Sequence, residues 1–167
     1  MLDRAALLAD LGKLVSTLED DVRERGRELP EADRPLQIEY AEARHAGRTA
    51  SAYEGWRDER LAQVAVAWVL GAVFVRFIED NELIERPYLS GPGDRRDLAH
   101  DQYARYFEKS PSDTDREFLR HVFREVGALP AAAGLFAETN PLWQVGLSGD
   151  GAMVLRKFWQ TIDPATG

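Results

Sequence analysis

A run of twelve apolar residues, Val64 to Val75, constrains the fold of this chain more than any other feature. It lies inside a longer segment, Tyr53 to Ile78, whose apolar residues recur with helical spacing. A helix that is apolar on every side is buried on every side, which predicts a central helix over about residues 50–80. The Val and Phe density also permits a strand over residues 64–69, but the flanking helical spacing favours a helix. Twelve residues are too few to cross a bilayer, so we expect no membrane contact.

Helical patterns on both sides of this segment predict an all-α fold, an irregular bundle of about six or seven helices. A heptad seam predicts a first helix from Asp3 to about Leu29, and a break at residues 30–35 separates it from a second helix, Pro35 to Ala46. Ser51 and Glu54 have the spacing of a capping box at the start of the central helix. Further helices are predicted over residues 95–109, from a cap at Asp113 or Thr114 to Gly127, over residues 131–137, and over residues 151–162 after a cap at Ser148.

The expected core and domain limits follow from this pattern. We expect a single domain over residues 1–167, with a helical hairpin at 1–47, a helical core at 48–163 and the start of a linker at 164–167. The linker-like ending predicts that the chain is part of a larger parent protein. The core is expected to centre on four side chains of the central helix, with three others packed around them: Trp68, Leu70, Phe74 and Phe77, then Leu119, Phe123 and Trp159.

Composition and spacing exclude several kinds of site. The chain has no Cys, so thiolate metal sites and Cys nucleophiles are excluded, and its three His are not paired at helical spacing. Two turns, Gly91 to Gly93 and Ser148 to Gly151, contain glycines before helices but follow no parallel strand, so they are interpreted as plain turns. We therefore predict no catalytic, metal-binding or cofactor-binding residue here, and an enzyme of a new helical kind is the least favoured hypothesis.

A segment at residues 140–143, Asn-Pro-Leu-Trp, is close to the Asn/Asp-Pro-Pro-aromatic loop of DNA amino-methyltransferases. In that loop the amide accepts from the exocyclic amine, and the aromatic ring stacks on a flipped base. Here Leu142 replaces the second proline, and no glycine-rich cofactor motif stands upstream. We interpret Asn140 as a turn residue and Trp143 as a core anchor.

Three arginines repeat at a four-residue spacing and therefore line one helical face: Arg116, Arg120 and Arg124. Such a stripe can contact phosphate groups. The alternative is a surface of ion pairs, in which Glu117 reaches Arg120 and Asp113 reaches Arg116. The net charge of −8 favours the ion pairs.

Several segments together resemble one family. The most specific is Phe-Val-Arg-Phe-Ile-Glu-Asp-Asn at residues 74–81, and the others are 5–11, 47–50, 53, 56–59, 65–70, 83–84, 121–125 and 140–143. These strings resemble the N-terminal helical region of the adenine-specific DNA methyltransferases of phage growth limitation systems, the BREX type 2 class. The likeness extends over essentially the whole chain.

The resemblance implies a parent enzyme that uses S-adenosylmethionine to methylate adenine N6 in DNA during anti-phage defence. No position here matches the family's cofactor loop or catalytic loop, so the segment itself is expected to bind no S-adenosylmethionine and to have no activity. The resemblance also implies that the partner is the parent's catalytic domain, with DNA and other defence proteins as further candidates. The composition predicts a cytoplasmic protein.

Two functional hypotheses remain after this step. The first is a non-catalytic scaffold that holds the catalytic domain, DNA or a partner protein. The second is an interaction or dimerisation module that uses the heptad seam of the first helix, Leu8, Leu11, Val15, Leu18, Val22, Arg25 and Leu29.

Overall fold

The computed structural model describes residues 4–161 and confirms the all-α fold. Within that range the chain forms six α-helices and one 3-10 turn, and no strand. The helices are α1 (Arg4–Glu28), α2 (Pro30–His45), α3 (Tyr53–Asp80), α4 (Arg95–Lys109), α5 (Asp115–Gly127) and α6 (Gly149–Phe158), and the 3-10 turn is Pro141–Trp143. The predicted linker at 164–167 lies outside the described residues, and the last helix ends at Phe158, before the predicted end at Ile162.

The core forms around one side of α3, against which α1, α2, α5, α6 and the 3-10 turn pack. Trp68 is fully buried there, with its ring 5.5 Å from that of Phe123 and its indole N–H donating to the carbonyl of Val145 at 3.4 Å. Leu119 is fully buried as well, and Trp159 is half-buried against the same cluster. The prediction that these side chains pack around Trp68 is therefore confirmed.

The prediction that α3 is buried on every side is wrong. Leu70, Phe74 and Phe77, which were expected in the core, are 48%, 37% and 58% exposed. They lie on the side of α3 away from Trp68, where the described residues provide no covering helix. An apolar sequence shows that a helix side favours burial, but burial requires an element to pack on it.

Several local predictions about where helices begin, break or form are wrong. The predicted break at residues 30–35 does not occur, because Pro30 occupies the first turn of α2 and Pro35 is accommodated inside that helix. Ser51 and Glu54 form no capping box, since α3 starts after Ala52 and the Ser51 carbonyl accepts from the Tyr40 hydroxyl instead. Residues 131–137 form turns rather than a helix.

Local capping signals at α5 and α6 are confirmed. Thr114 and Glu117 form the capping box of α5, and the Ser148 hydroxyl accepts from the backbone N–H of Gly151 at the start of α6. A buried ion pair then joins these two helices, with 2.7 Å between Arg156 Nε and the carboxylate of Asp115. This ion pair holds the start of α5 next to the last turn of α6.

Candidate interaction surfaces

An apolar groove runs along the exposed side of α3. It has a volume of about 500 Å³ and lies between α3 and residues 134–141. Its α3 wall includes Val66, Leu70 and Phe74, and its opposite wall includes Leu135 and Pro141. With Phe77, the three α3 side chains form a stripe at spacings of four, four and three residues, which we call the apolar stripe. Exposed apolar surface that is contiguous, rather than scattered, marks an interaction site.

The helix that forms one wall of the groove is buried in the core on its other side. Val64, Trp68 and Val75 of α3 are fully buried on the opposite side. By length and composition alone α3 is long and apolar enough to cross a membrane, a property that core helices of folded domains share. The sequence analysis predicted a helix of this length, but its membrane argument considered only the twelve-residue run, and it missed the exposed stripe.

The three predicted arginines do line one face of α5, and the loop at residues 140–147 packs beneath them. The guanidinium carbons of Arg120 and Arg124 lie 5.6 Å and 5.4 Å from the centre of the Trp143 ring. Arg116 lies over Gly146, where an added Cβ would be 3.1 Å from Arg116 Cδ. We call Arg116, Arg120 and Arg124 the arginine row.

The ion pairs predicted for this face are mostly absent. Arg116 pairs with its neighbour Glu117 at 2.6 Å, whereas Asp113 accepts from the Tyr106 hydroxyl at 2.7 Å. Among residues 4–161, no carboxylate oxygen lies within 4.0 Å of Arg120 or Arg124. Burial lowers the pKa of Arg120, and repulsion from Arg124 and Arg116 lowers it further.

The segment resembling a methyltransferase loop is a structural turn. Asn140 Oδ1 accepts from the backbone N–H of Leu142 at 2.9 Å, and Asn140 Nδ2 donates to the carbonyl of Leu135 at 2.7 Å. The interpretation of Asn140 as a turn residue is confirmed. Trp143 is half-buried and its indole N–H donates to the carbonyl of Phe136 at 3.2 Å, so one ring face remains available to the arginines. The sequence analysis did not identify this second role of Trp143.

The two glycine-containing turns are filled or interrupted by residues of the chain itself. The Ser148–Gly151 turn already holds a carboxylate of its own chain, because Asp21 accepts from the Ser148 backbone N–H at 2.8 Å and from its hydroxyl. A Cβ on Gly151 would overlap that same carboxylate. In the other glycine turn, Pro92 removes one N–H group. No group of three or more His, Asp or Glu side chains able to hold a metal occurs in the described part of the chain.

The chain is 48% identical over 165 residues to the adenine-specific methyltransferase PglX of Streptomyces coelicolor. This chain is similar to one segment of PglX. The match confirms the resemblance indicated by the sequence strings, and it covers 98% of this chain but 14% of PglX. The chain therefore spans only a small part of the length of the curated relative that it matches. No family model matches the chain, and no solved structure matches it.

Proposed function

We propose that this chain is a non-catalytic helical scaffold of an S-adenosylmethionine-dependent adenine-N6 DNA methyltransferase in a phage growth limitation (BREX type 2) system. In this proposal the apolar groove on α3 docks against the remainder of the methyltransferase, which contains the cofactor and the catalytic loop. The scaffold acts in the cytoplasm and has neither metal nor cofactor of its own.

The observation that carries the proposal is the apolar stripe. Four large apolar side chains, Val66, Leu70, Phe74 and Phe77, lie on one helix side and are between 37% and 58% exposed. Each square ångström of apolar surface removed from water contributes about 25 cal/mol, so covering this stripe is strongly favourable. The chain provides no cover for it among residues 4–161.

The length of the relative supports this choice of occupant. The match leaves 86% of PglX outside the aligned segment, because it covers 14%. In this proposal the chain is likewise one segment of a longer protein, and a tethered neighbour docks at a high effective concentration. The rest of the methyltransferase is therefore the partner best suited to cover the groove.

The alternative hypothesis, in which the heptad seam of α1 binds a partner, has no supporting observation. Leu14, Leu18 and Val22 of α1 are buried in the core of this chain. Leu11 and Val15 also pack against that core, which leaves Leu8 and Leu29 as the exposed apolar residues of the seam. The seam is used within the fold.

A hybrid enzyme tests the scaffold role. The segment of PglX that matches this chain is replaced by this chain, and DNA adenine methylation is measured with and without the paired substitution Leu70→Asp and Phe74→Asp. Burying two carboxylates in an apolar interface costs several kcal/mol, so we expect methylation to fall sharply. Ile38→Asp is the control, because Ile38 is 56% exposed on α2 and does not line the groove. Unchanged methylation in the paired variant would exclude docking through the groove.

A further inference from the structure

The arginine row concentrates positive charge on a chain whose net charge is −8. Its members are four residues apart on α5, so successive guanidinium groups originate about 6 Å apart along the helix axis and the row extends about 12 Å. The opposite face of α5 is buried through Phe118, Val122 and Val126, which fixes the direction in which the row points. The row therefore points away from the core of the chain.

Trp143 holds two of these cations without neutralising them. Its ring lies within 6 Å of the guanidinium carbons of Arg120 and Arg124, a cation–π arrangement. The bond from the Trp143 indole N–H to the Phe136 carbonyl fixes the ring itself. An aromatic face restrains a guanidinium group but accepts no hydrogen bond from its in-plane N–H donors. The exposed donors of Arg124 therefore stay available to an anion.

The same region contains a fourth arginine, on which the charges of Asp21, Glu31 and Glu117 also act. Burial lowers the pKa of Arg25, at the end of α1, and repulsion from Arg116 adds to this effect. The Nε atoms of Arg25 and Arg120 are both buried without a hydrogen-bond partner. Glu117 forms an ion pair with Arg116 of the row, and the same carboxylate accepts from the backbone N–H of Thr114. Positive charges held close together in this way favour the binding of an external anion.

We propose that the arginine row, with Arg25 beside it, binds the phosphate groups of a nucleic-acid backbone, in particular duplex DNA. Several cations spread over two helical turns suit a series of phosphates better than a single small anion. In this proposal the row contacts phosphates alone, so the contact is independent of sequence and weakens with salt. The net acidic charge makes the binding weak in the isolated chain. This inference does not depend on the apolar groove.

The experiment uses nuclear magnetic resonance on this chain at low ionic strength with a short DNA duplex. The indole N–H of Trp143 is the reporter, and the other three Trp residues are internal references. We expect the Trp143 signal and the Arg120 and Arg124 Nε–H signals to shift on titration. No shift at about 1 mM duplex, above the range of ordinary nonspecific dissociation constants, overturns the proposal.

Two double variants that remove the same charge distinguish binding by the arginine row from the general attraction between positive charges of the chain and DNA. Arg120→Gln with Arg124→Gln removes two charges from the row, whereas Arg96→Gln with Arg105→Gln removes two from exposed positions on α4. Each phosphate contact contributes about a tenfold factor at about 50 mM salt, so the row variant is expected to lose about a hundredfold in affinity and about 1.8 units of log–log salt slope. Equal losses in the two double variants overturn the proposal.

Competition distinguishes the source of the phosphate. Inorganic phosphate and a mononucleotide are titrated in place of the duplex, and neither is expected to reproduce the shifts at millimolar concentration. Poly-glutamate is the third competitor, because an acidic protein surface carries charge without phosphate geometry. Binding of inorganic phosphate as tight as that of DNA, or displacement of DNA by poly-glutamate at equal charge, overturns the assignment to a nucleic-acid backbone.

Discussion

The carboxylate of Glu79, in the last turn of α3, accepts a hydrogen bond of 2.8 Å from the backbone N–H of Leu89. The same carboxylate accepts from the N–H groups of Tyr88 and Ser90, and Arg76 lies 3.5 Å from it. Glu79 is fully buried, and burial raises the pKa of its carboxyl although these hydrogen bonds oppose the shift. One side chain thus anchors the loop that returns from α3 toward α4.

We expect Glu79→Gln to destabilise the chain by about 2 kcal/mol, because an amide NH₂ group would replace an oxygen that backbone N–H groups need as an acceptor. Urea denaturation measures the change. Asp80→Asn is the control, since Asp80 is half-exposed and bonds to Arg76 on the surface. Equal urea midpoints for the two variants would contradict the anchoring role of Glu79.

The two sides of α3 should respond differently to truncation. Trp68→Ala is expected to cost about 3–5 kcal/mol, because Trp68 is fully buried. Phe77→Ala, on the exposed stripe, should cost under about 1 kcal/mol in the free chain. Thermal unfolding of both variants measures the difference, and a similar loss in the two would mean that the stripe is buried in solution.

The capping box of α5 predicts a pH dependence of stability. Burial tends to raise the pKa of Glu117, but hydrogen bonds from Thr114 and Arg116 outweigh it and lower the pKa to about 2. Because this value lies below the ordinary 4.5, the ionised form stabilises the fold fully above pH 4.5, and that contribution is lost as the pH falls toward 2.

The Glu117→Gln variant isolates this contribution. At pH 7 it should be about 1 kcal/mol less stable than the unsubstituted chain, the usual contribution of a helix cap, and the gap should narrow as the pH falls from 4.5. Urea denaturation at a series of pH values measures the gap. A gap that stays constant down to pH 3 would show that the ionised carboxylate of Glu117 is not the stabilising form.

We expect the isolated chain to bind S-adenosylmethionine negligibly, because Asp21 already fills the Ser148–Gly151 turn. Titration calorimetry should give no heat above dilution. A dissociation constant at or below about 100 µM, near 5.5 kcal/mol of binding free energy, would mean that a cofactor site has been missed.

The parts of the fold that could be predicted from the sequence depend on local signals. Thr114 with Glu117, and Ser148 at the start of α6, cap their helices through bonds that span three residues, so a short pattern suffices. The burial of Trp68 could be predicted from the apolar periodicity of α3, because the side of α3 that packs against the other helices is apolar.

The parts that could not be predicted depend on contacts between distant segments. Phe77 is as apolar as the core side chains, and only the absence of a covering element among residues 4–161 shows that it is exposed. Trp143 lies about twenty residues from Arg120 and Arg124 in sequence, so its contact with them arises from the packing of the 140–147 loop on α5. The spacing of the arginines predicted correctly that the arginine row lies on one face of α5. It could not show what the arginines contact.

The most direct test of the docking proposal is cysteine labelling in the hybrid methyltransferase that contains this chain. The chain has no natural Cys, so Phe77→Cys and Ile38→Cys each introduce one thiol that can be followed by mass spectrometry of its peptide. Both thiols should react at similar rates in the free chain, since both parent side chains are more than half exposed.

In the hybrid, the account predicts that Phe77→Cys reacts at least about tenfold more slowly than in the free chain, while Ile38→Cys keeps its rate. Slow labelling of Phe77→Cys in the free chain that depends on its concentration would indicate a second copy as the occupant. An unchanged rate at Phe77→Cys in the hybrid would contradict the claim that the rest of the methyltransferase covers the apolar stripe.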